Sequence, residues 1–199
     1  MQTTFVQLLL QHAAERPQAT AMREKEYGVW QALTWTDLAG MVQHIAAGLH
    51  QAGLMRGEHM IVVGANRPRL YATMLAVQAL GAIPIPLYQD AAAAECVFPI
   101  NNAEVRFAFA EDQEQVDKLL EVRDQCPQLT HIYFDDPRGL RKYDVLGLAS
   151  LDELIAAGKV FADLHTEFFK TEVEKAKPSD VAAMSVSYTH LRAHETVLD

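Results

Sequence analysis

The side chains able to do chemistry are scattered rather than gathered. Glu111, Asp112, Glu114 and Asp117 stand close together, and grouped carboxylates are the raw material of divalent-cation sites and acid–base pairs. No histidine or supporting partner accompanies them, so the expected role is local. Asp112 with Gln115 caps a helix, and the other acids sit near its positive end. Arg138, Arg141 and Lys142 form a small basic knot in Asp136-Pro137-Arg138-Gly139-Leu140-Arg141-Lys142-Tyr143. Paired arginines on a loop can hold a phosphate or carboxylate. The expectation here is neutralisation of Asp135 and Asp136. Gly64-Ala65-Asn66-Arg67-Pro68 lies between a strand-like and a helix-like run, where a phosphate-cradling loop belongs. It has one glycine and no following lysine, so a structural βα turn is expected. The alternative is a weak anion site on the free N–H groups of the next helix. Of the histidines at 12, 44, 50, 59, 131 and 165, none forms H-E-x-x-H. His44 and His50, six positions apart on one expected helix, do not share a face well, and boundary or surface positions are expected for all. There is no G-x-x-x-x-G-K-[ST], G-x-G-x-x-G or G-x-S-x-G.

The elements that must carry these residues alternate. Phe5, Leu8, Leu9 and Ala13 recur at helical spacing until Pro17. A hairpin follows around Gly28, from Ala21-Met22-Arg23 to Ala32-Leu33-Thr34. Thr34 and Asp37 form a helix-start pattern ahead of the stripe Leu38, Val42, Ile45, Leu49, which stops near Gly53. Met60-Ile61-Val62-Val63 reads as a strand buried on both faces. Leu70 to Leu80 reads as a helix, and Ile83 to Tyr88 as a strand whose two prolines, Pro84 and Pro86, confine it to a short or edge position. Ala91 to Phe98 is helical, Val105 to Phe109 a strand with Phe107 and Phe109 on one core face, and Leu129 to Phe134 a further strand. Asp135 to Gly147 reads as a loop. Ser150 with Glu153 caps a helix, Ala162 to Lys177 reads as a solvated helix before Pro178, and Val181-Ala182-Ala183-Met184 as the start of one more strand. Strands alternating with helices imply an α/β fold, a mostly parallel sheet with helices on both faces.

Composition narrows the classes of partner. The chain has 199 residues, half of them apolar, and a net charge of −9. Such a surface disfavours nucleic acid and anionic membrane, which select clustered cations. Two cysteines, Cys96 and Cys126, make neither a disulfide framework nor a metal site, and a reducing cytoplasm is the simplest setting. The N-terminus lacks signal-peptide character, and no run reaches membrane-spanning length, so any membrane contact is expected to be peripheral.

Three segments, in order, carry a resemblance. They are Thr34-Trp35-Thr36-Asp37-Leu38 leading to Gly57-Glu58-His59-Met60-Ile61-Val62, then Asn66-Arg67-Pro68 through Leu80-Gly81-Ala82-Ile83-Pro84-Ile85-Pro86-Leu87-Tyr88, then Ala110 to Leu119. Together they resemble the N-terminal region of the adenylate-forming superfamily, specifically AMP-forming long-chain acyl-CoA synthetases. The resemblance covers residues 1–184 and implies a truncated adenylation domain. It also implies a parent enzyme that converts a fatty acid and ATP, with Mg2+, to an acyl-adenylate and passes the acyl group to CoA. A homodimer and a peripheral membrane contact are compatible with that parent. The phosphate-binding loop of the family, ending in Pro-Lys-Gly, would follow a strand like 181–184. No catalytic, cofactor-binding or metal-binding residue is carried over onto this sequence, and the fragment itself is expected to be inactive. The alternatives are a stand-alone non-catalytic α/β binding module and an adenylate-forming ligase for another carboxylate.

Residues 185–199 do not continue the pattern. Val186 to Thr196 resembles the translation of a transposon-type sequencing adapter, and the tail is expected to be non-native. A genuine helical tail is the alternative.

Overall fold

The computed structural model describes residues 3–185; the expected adapter-derived stretch from Val186 onward lies outside the described residues. Helix α1 (Phe5–Glu15) begins on a capping box, in which Thr4 accepts from Gln7 N–H and Gln7 returns the bond. Strands β1 (Thr20–Glu26) and β2 (Val29–Thr34) form the expected hairpin, turning at Tyr27 and Gly28, both with positive φ. Helix α2 (Trp35–Gln51) starts where the sequence places it, with Asp37 N–H donating to Thr34 Oγ1 at 3.2 Å and Thr34 N–H to Asp37 Oδ2 at 3.1 Å.

Then come β3 (His59–Val63), α3 (Pro68–Ala79), β4 (Ile83–Leu87), α4 (Ala93–Asn102), β5 (Phe107–Ala110), α5 (Gln113–Glu121), β6 (His131–Phe134), β7 (Leu148–Ser150), α6 (Leu151–Leu164) and α7 (Phe168–Glu174). The main sheet has the order β4-β3-β5-β6-β7, and every pair in it is parallel. Alternation along the strands divides the core in two. Met60, Val62, Phe107 and Phe109 face α1, α2, α3, α6 and α7. Ile61, Val63, Ala108 and Ile132 face α4 and α5. Both faces are therefore covered, as an all-parallel sheet requires.

Four segments differ from the sequence reading. Helix α4 runs through Pro99 to Asn102 instead of stopping at Phe98, because Cys96, Pro99 and Ile100 are all buried against the sheet. Strand β7 is only three residues long, too short for a periodic signal. The span expected as one solvated helix, Ala162 to Lys177, is the end of α6 and the separate α7, which buries Phe169 and Val173. Residues 181–184 do not form a strand; one backbone bond, Met184 N–H to Pro84 O at 3.1 Å, ties them to β4. The chemistry of the β4 edge explains this. Ile83 N–H points inward, donating to Glu58 O at 2.8 Å, so Pro84 and Pro86 face outward. That edge presents carbonyls and no N–H groups, so a neighbour can donate but cannot accept.

Candidate functional site at the carboxyl ends of the strands

In open parallel sheets, ligands sit beyond the carboxyl ends of the strands, where the chain reverses its direction of travel across the sheet. Here the chain passes from β3 to β4 on one side and then to β5 on the other. The reversal therefore lies between β3 and β5, where Gly64 and Ala65 leave one strand and Glu111 leaves the other.

That crevice is filled by the protein's own carboxylate. Ala65 N–H donates to Glu111 Oε2, and Arg67 Nε lies 2.5 Å from Glu111 Oε1. Gly64 has φ of 154°, and a Cβ built on it would stand 2.6 Å from Glu111 Cβ, so only glycine fits. The segment is the expected structural βα turn, and its Ala65 N–H is taken by Glu111; no anionic side chain is seen on the first N–H groups of α3 among the described residues. Pro68 opens α3 at its first position, where no N–H is needed.

Beside it lies a charged cleft of about 610 Å3, lined among others by Glu24, Tyr27, Arg67, Arg69, Asp135 and Asp152. Arg69 joins α3 to the end of β6 and the start of α6: its Nη2 donates to Asp152 Oδ1 at 2.6 Å, and its Nε lies 2.8 Å from Asp135 Oδ1. The Nε–H does not point at that oxygen, so the second contact is charge attraction without a hydrogen bond. Burial pushes the Asp135 carboxyl up to about 6; Arg69 pulls it down, and Asp152, Glu111 and Glu24 push it further up. The sign follows from linkage. An acid whose folded pKa is raised adds stability below its unfolded value, 3.8, and loses it as pH rises through about 6. The stability difference between wild type and Asp135→Asn should therefore fall by about 2–3 kcal/mol between pH 4 and pH 7. Urea unfolding of both proteins at the two pH values measures it; a pH-independent difference would refute the assignment.

A second depression, of about 670 Å3, lies on the β4 side and is lined by Asn66, Leu70, Tyr71, Met74, Tyr88 and Ser185 among others. Tyr71 O–H donates to Asn66 Oδ1 at 3.0 Å. The loop after β4 is pinned at Gln89 O, which accepts from Lys118 Nζ at 2.6 Å and Gln115 Nε2 at 3.2 Å.

The acids singled out in sequence do not converge. Asp112 caps α5 as expected, Glu114 pairs with Lys118 at 2.8 Å, and Asp117 accepts from Tyr143 O–H at 2.6 Å, while Glu111 turns away into the crevice. In the basic loop, Arg138 grips Asp136 as expected and holds its carboxyl below the usual range. Asp135 is instead served by Arg69, because the end of β6 faces the start of α3 rather than its own loop. The histidines at 12, 44, 50, 59, 131 and 165 are half-buried or exposed, as expected, and three of them lie on rings: His12 tilts on Trp35, His50 on Phe168, and His131 stacks on Phe107, each at 4.6 Å. Burial beside Arg106 and Arg123 lowers the His131 pKa. Cys96 and Cys126 are buried, and burial raises both thiols. Sequence reasoning missed Glu111 and Asp135 as partners of α3. The available signal was that each immediately follows a strand at the ligand-facing end of the sheet.

Among the described residues, no three of His, Cys, Asp and Glu form a group suited to a metal ion. The carboxylates of the cleft are engaged by arginines, Glu24 and Glu111 by Arg67 and Asp135 and Asp152 by Arg69.

Comparison with known proteins places this arrangement. The chain belongs to the AMP-binding enzyme family, whose profile matches residues 9–189. It is similar to the uncharacterized protein Rv1549 of Mycobacterium tuberculosis, 31% identical over 59% of this chain and 65% of that protein. It is also similar to the long-chain-fatty-acid–CoA ligase FadD15 of Mycobacterium bovis, 22% identical over 63% of this chain and 21% of that one. Among solved structures, acetoacetyl-CoA synthetase from Streptomyces lividans shares the fold, with a TM-score of 0.68 and 23% identity over 76% of this chain and 25% of that one. The chain thus spans 65% of the length of Rv1549 and 21% of that of FadD15.

Proposed function

We propose that residues 1–184 are the N-terminal part of the adenylation domain of an AMP-forming, cytoplasmic long-chain fatty acid–CoA ligase, and that residues 185–199 are not native to it. The observation that carries the adenylation-domain reading is the family match over residues 9–189, which spans the whole parallel sheet and runs five residues into the proposed tail. The similarity to FadD15 supports a long-chain acyl substrate. In the parent, ATP and Mg2+ would supply phosphoryl chemistry and CoA the accepting thiol. The residues that hold these groups are proposed to lie beyond Ser185. This chain contributes a rigid wall: Glu111 locks the loop after β3, and Gln115 with Lys118 locks the loop after β4.

Two measurements test it. The natural gene, read past Met184, should continue into a Ser/Thr/Gly-rich loop ending in Pro-Lys-Gly. Its product should release pyrophosphate with ATP and palmitate, and more slowly with acetoacetate or indoleacetate, whereas the 199-residue chain should release none. A gene continuing into the present tail, or a parent that prefers an aryl acid, would sink the corresponding half. The second reading is a non-catalytic binding module. It is favoured by the similarity to Rv1549, of which the aligned 117 residues make up 65%, so that relative is itself short.

A further inference from the structure

At the opposite end of the sheet a cavity of about 500 Å3 opens between the first turns of α1, the turns at Gly57 and Gly81, and the strap formed by residues 176–182. This volume falls within the roughly 300–1,000 Å3 typical of small-molecule pockets. Its walls include Phe5, Val6, Ala82, Ile83, Pro178 and Val181. Phe5 and Val181 are 62% and 57% exposed, so an apolar ligand would cover surface that now meets water.

The strap is held in place by hydrogen bonds from α1 and α3. Gln7 Nε2 donates to Val173 O and Ala176 O, at 3.4 and 3.3 Å, and Gln78 Nε2 donates to Ala182 O at 2.6 Å. Between these pins, Lys177 N–H donates to Asp180 Oδ2 and Asp180 N–H to Lys177 O, both at 2.9 Å. A preformed wall removes an ordering cost from binding.

Charge at the mouth indicates the head group. Arg56 lies on the rim 3.4 Å from Glu172, which also pairs with Lys175. The Lys177 ammonium makes no ion pair among the described residues. The Asp180 carboxylate is engaged by the strap itself. Arg56, Lys175 and Lys177 stand there against Glu172 and Asp180, so the net charge of these groups at the mouth is positive.

We propose that this cavity binds a free single-chain amphiphile with a carboxylate head, its tail lying between α1 and the start of β4 and its head on Lys177. The site does not depend on the ligase reading, since it lies at the other end of the strands from the family's loop.

Titration of the purified 199-residue chain with decanoate, followed by calorimetry, tests it. Saturable one-to-one binding is expected. Lys177→Met should weaken decanoate about tenfold and leave 1-decanol unchanged. Ala182→Trp, at an exposed strap position, should abolish both by filling the cavity. Hydrogen exchange of the wild-type chain gives a readout that needs no variant: decanoate should slow residues 3–8 and 176–182. Absence of saturable binding, binding that Ala182→Trp leaves intact, equal loss of decanoate and decanol in Lys177→Met, or protection confined to residues 64–90 would each overturn the proposal.

Discussion

Gly158→Ala should lower the stability of the chain by about 3 kcal/mol, the cost of forcing an extra carbon into a closed contact. Helices α2 and α6 cross with their backbones touching. A Cβ at Gly158 would run into His44 O and stand 2.6 Å from Gly48 N, and a Cβ at Gly48 would stand 2.5 Å from Leu154 O. These obstacles are main-chain atoms of a neighbouring helix, which cannot rotate aside as a side chain can. Neither glycine has a positive φ, so steric contact and not backbone conformation is what demands it. Alanine favours the helical state by about 1 kcal/mol, which only partly offsets the clash. Gly40, also on α2, supplies the control, because a Cβ there meets nothing within 4 Å. Gly40→Ala should raise stability by up to about 1 kcal/mol. Urea unfolding of the two variants should therefore move the midpoint in opposite directions. Equal effects would mean that the helix crossing is not tight.

The contrast between these glycines shows which parts of the fold are legible in sequence. Helix starts are, because each capping box closes within three residues: Thr34 with Asp37, Ser150 with Glu153. The edge position of β4 is legible as well, since Pro84 and Pro86 lack the N–H groups an inner strand would need. The helix crossing is not. Gly40, Gly48 and Gly158 look alike in sequence, and only the approach of α6 to α2 separates them. The site divides in the same way. Arg138 with Asp136 is a local pair and could be anticipated, although the same reasoning wrongly gave Asp135 to the same loop. The Arg69–Asp135 pair and the Ala65–Glu111 hydrogen bond join loops far apart in the chain, brought together by the order of the strands. Once the order β4-β3-β5-β6-β7 is known, the Ala65–Glu111 bond follows, because residues leaving adjacent parallel strands must meet; β5 separates β3 from β6, so the Arg69–Asp135 pair also needs the reach of the Arg69 side chain.

The bond between Glu111 and Ala65 should be the costliest of the polar contacts to lose. Glu111→Ala should destabilise the chain by about 2–3 kcal/mol, since a charge-assisted hydrogen bond disappears and the Ala65 N–H is left without its acceptor. The ion pair with Arg67 adds less, because Arg67 is 48% exposed and has Glu24 at 3.7 Å as a second partner. The two contributions separate in Glu111→Gln, which retains an oxygen for the Ala65 N–H but no charge for Arg67. If the backbone bond dominates, Gln should recover more than half of the loss; if the ion pair dominates, Gln should behave like Ala. Urea midpoints decide between these outcomes, and hydrogen exchange at the Ala65 amide reports the lost acceptor directly. The outcome also bears on the two functional readings. A binding module of this topology would use the crevice between β3 and β5 for its ligand, and here a carboxylate of the protein occupies it. Wild type should therefore show no affinity for inorganic phosphate at that crevice. The depression on the β4 side, next to Ser185, stays open to a ligand, and it adjoins the point where a family loop following residues 181–184 would begin.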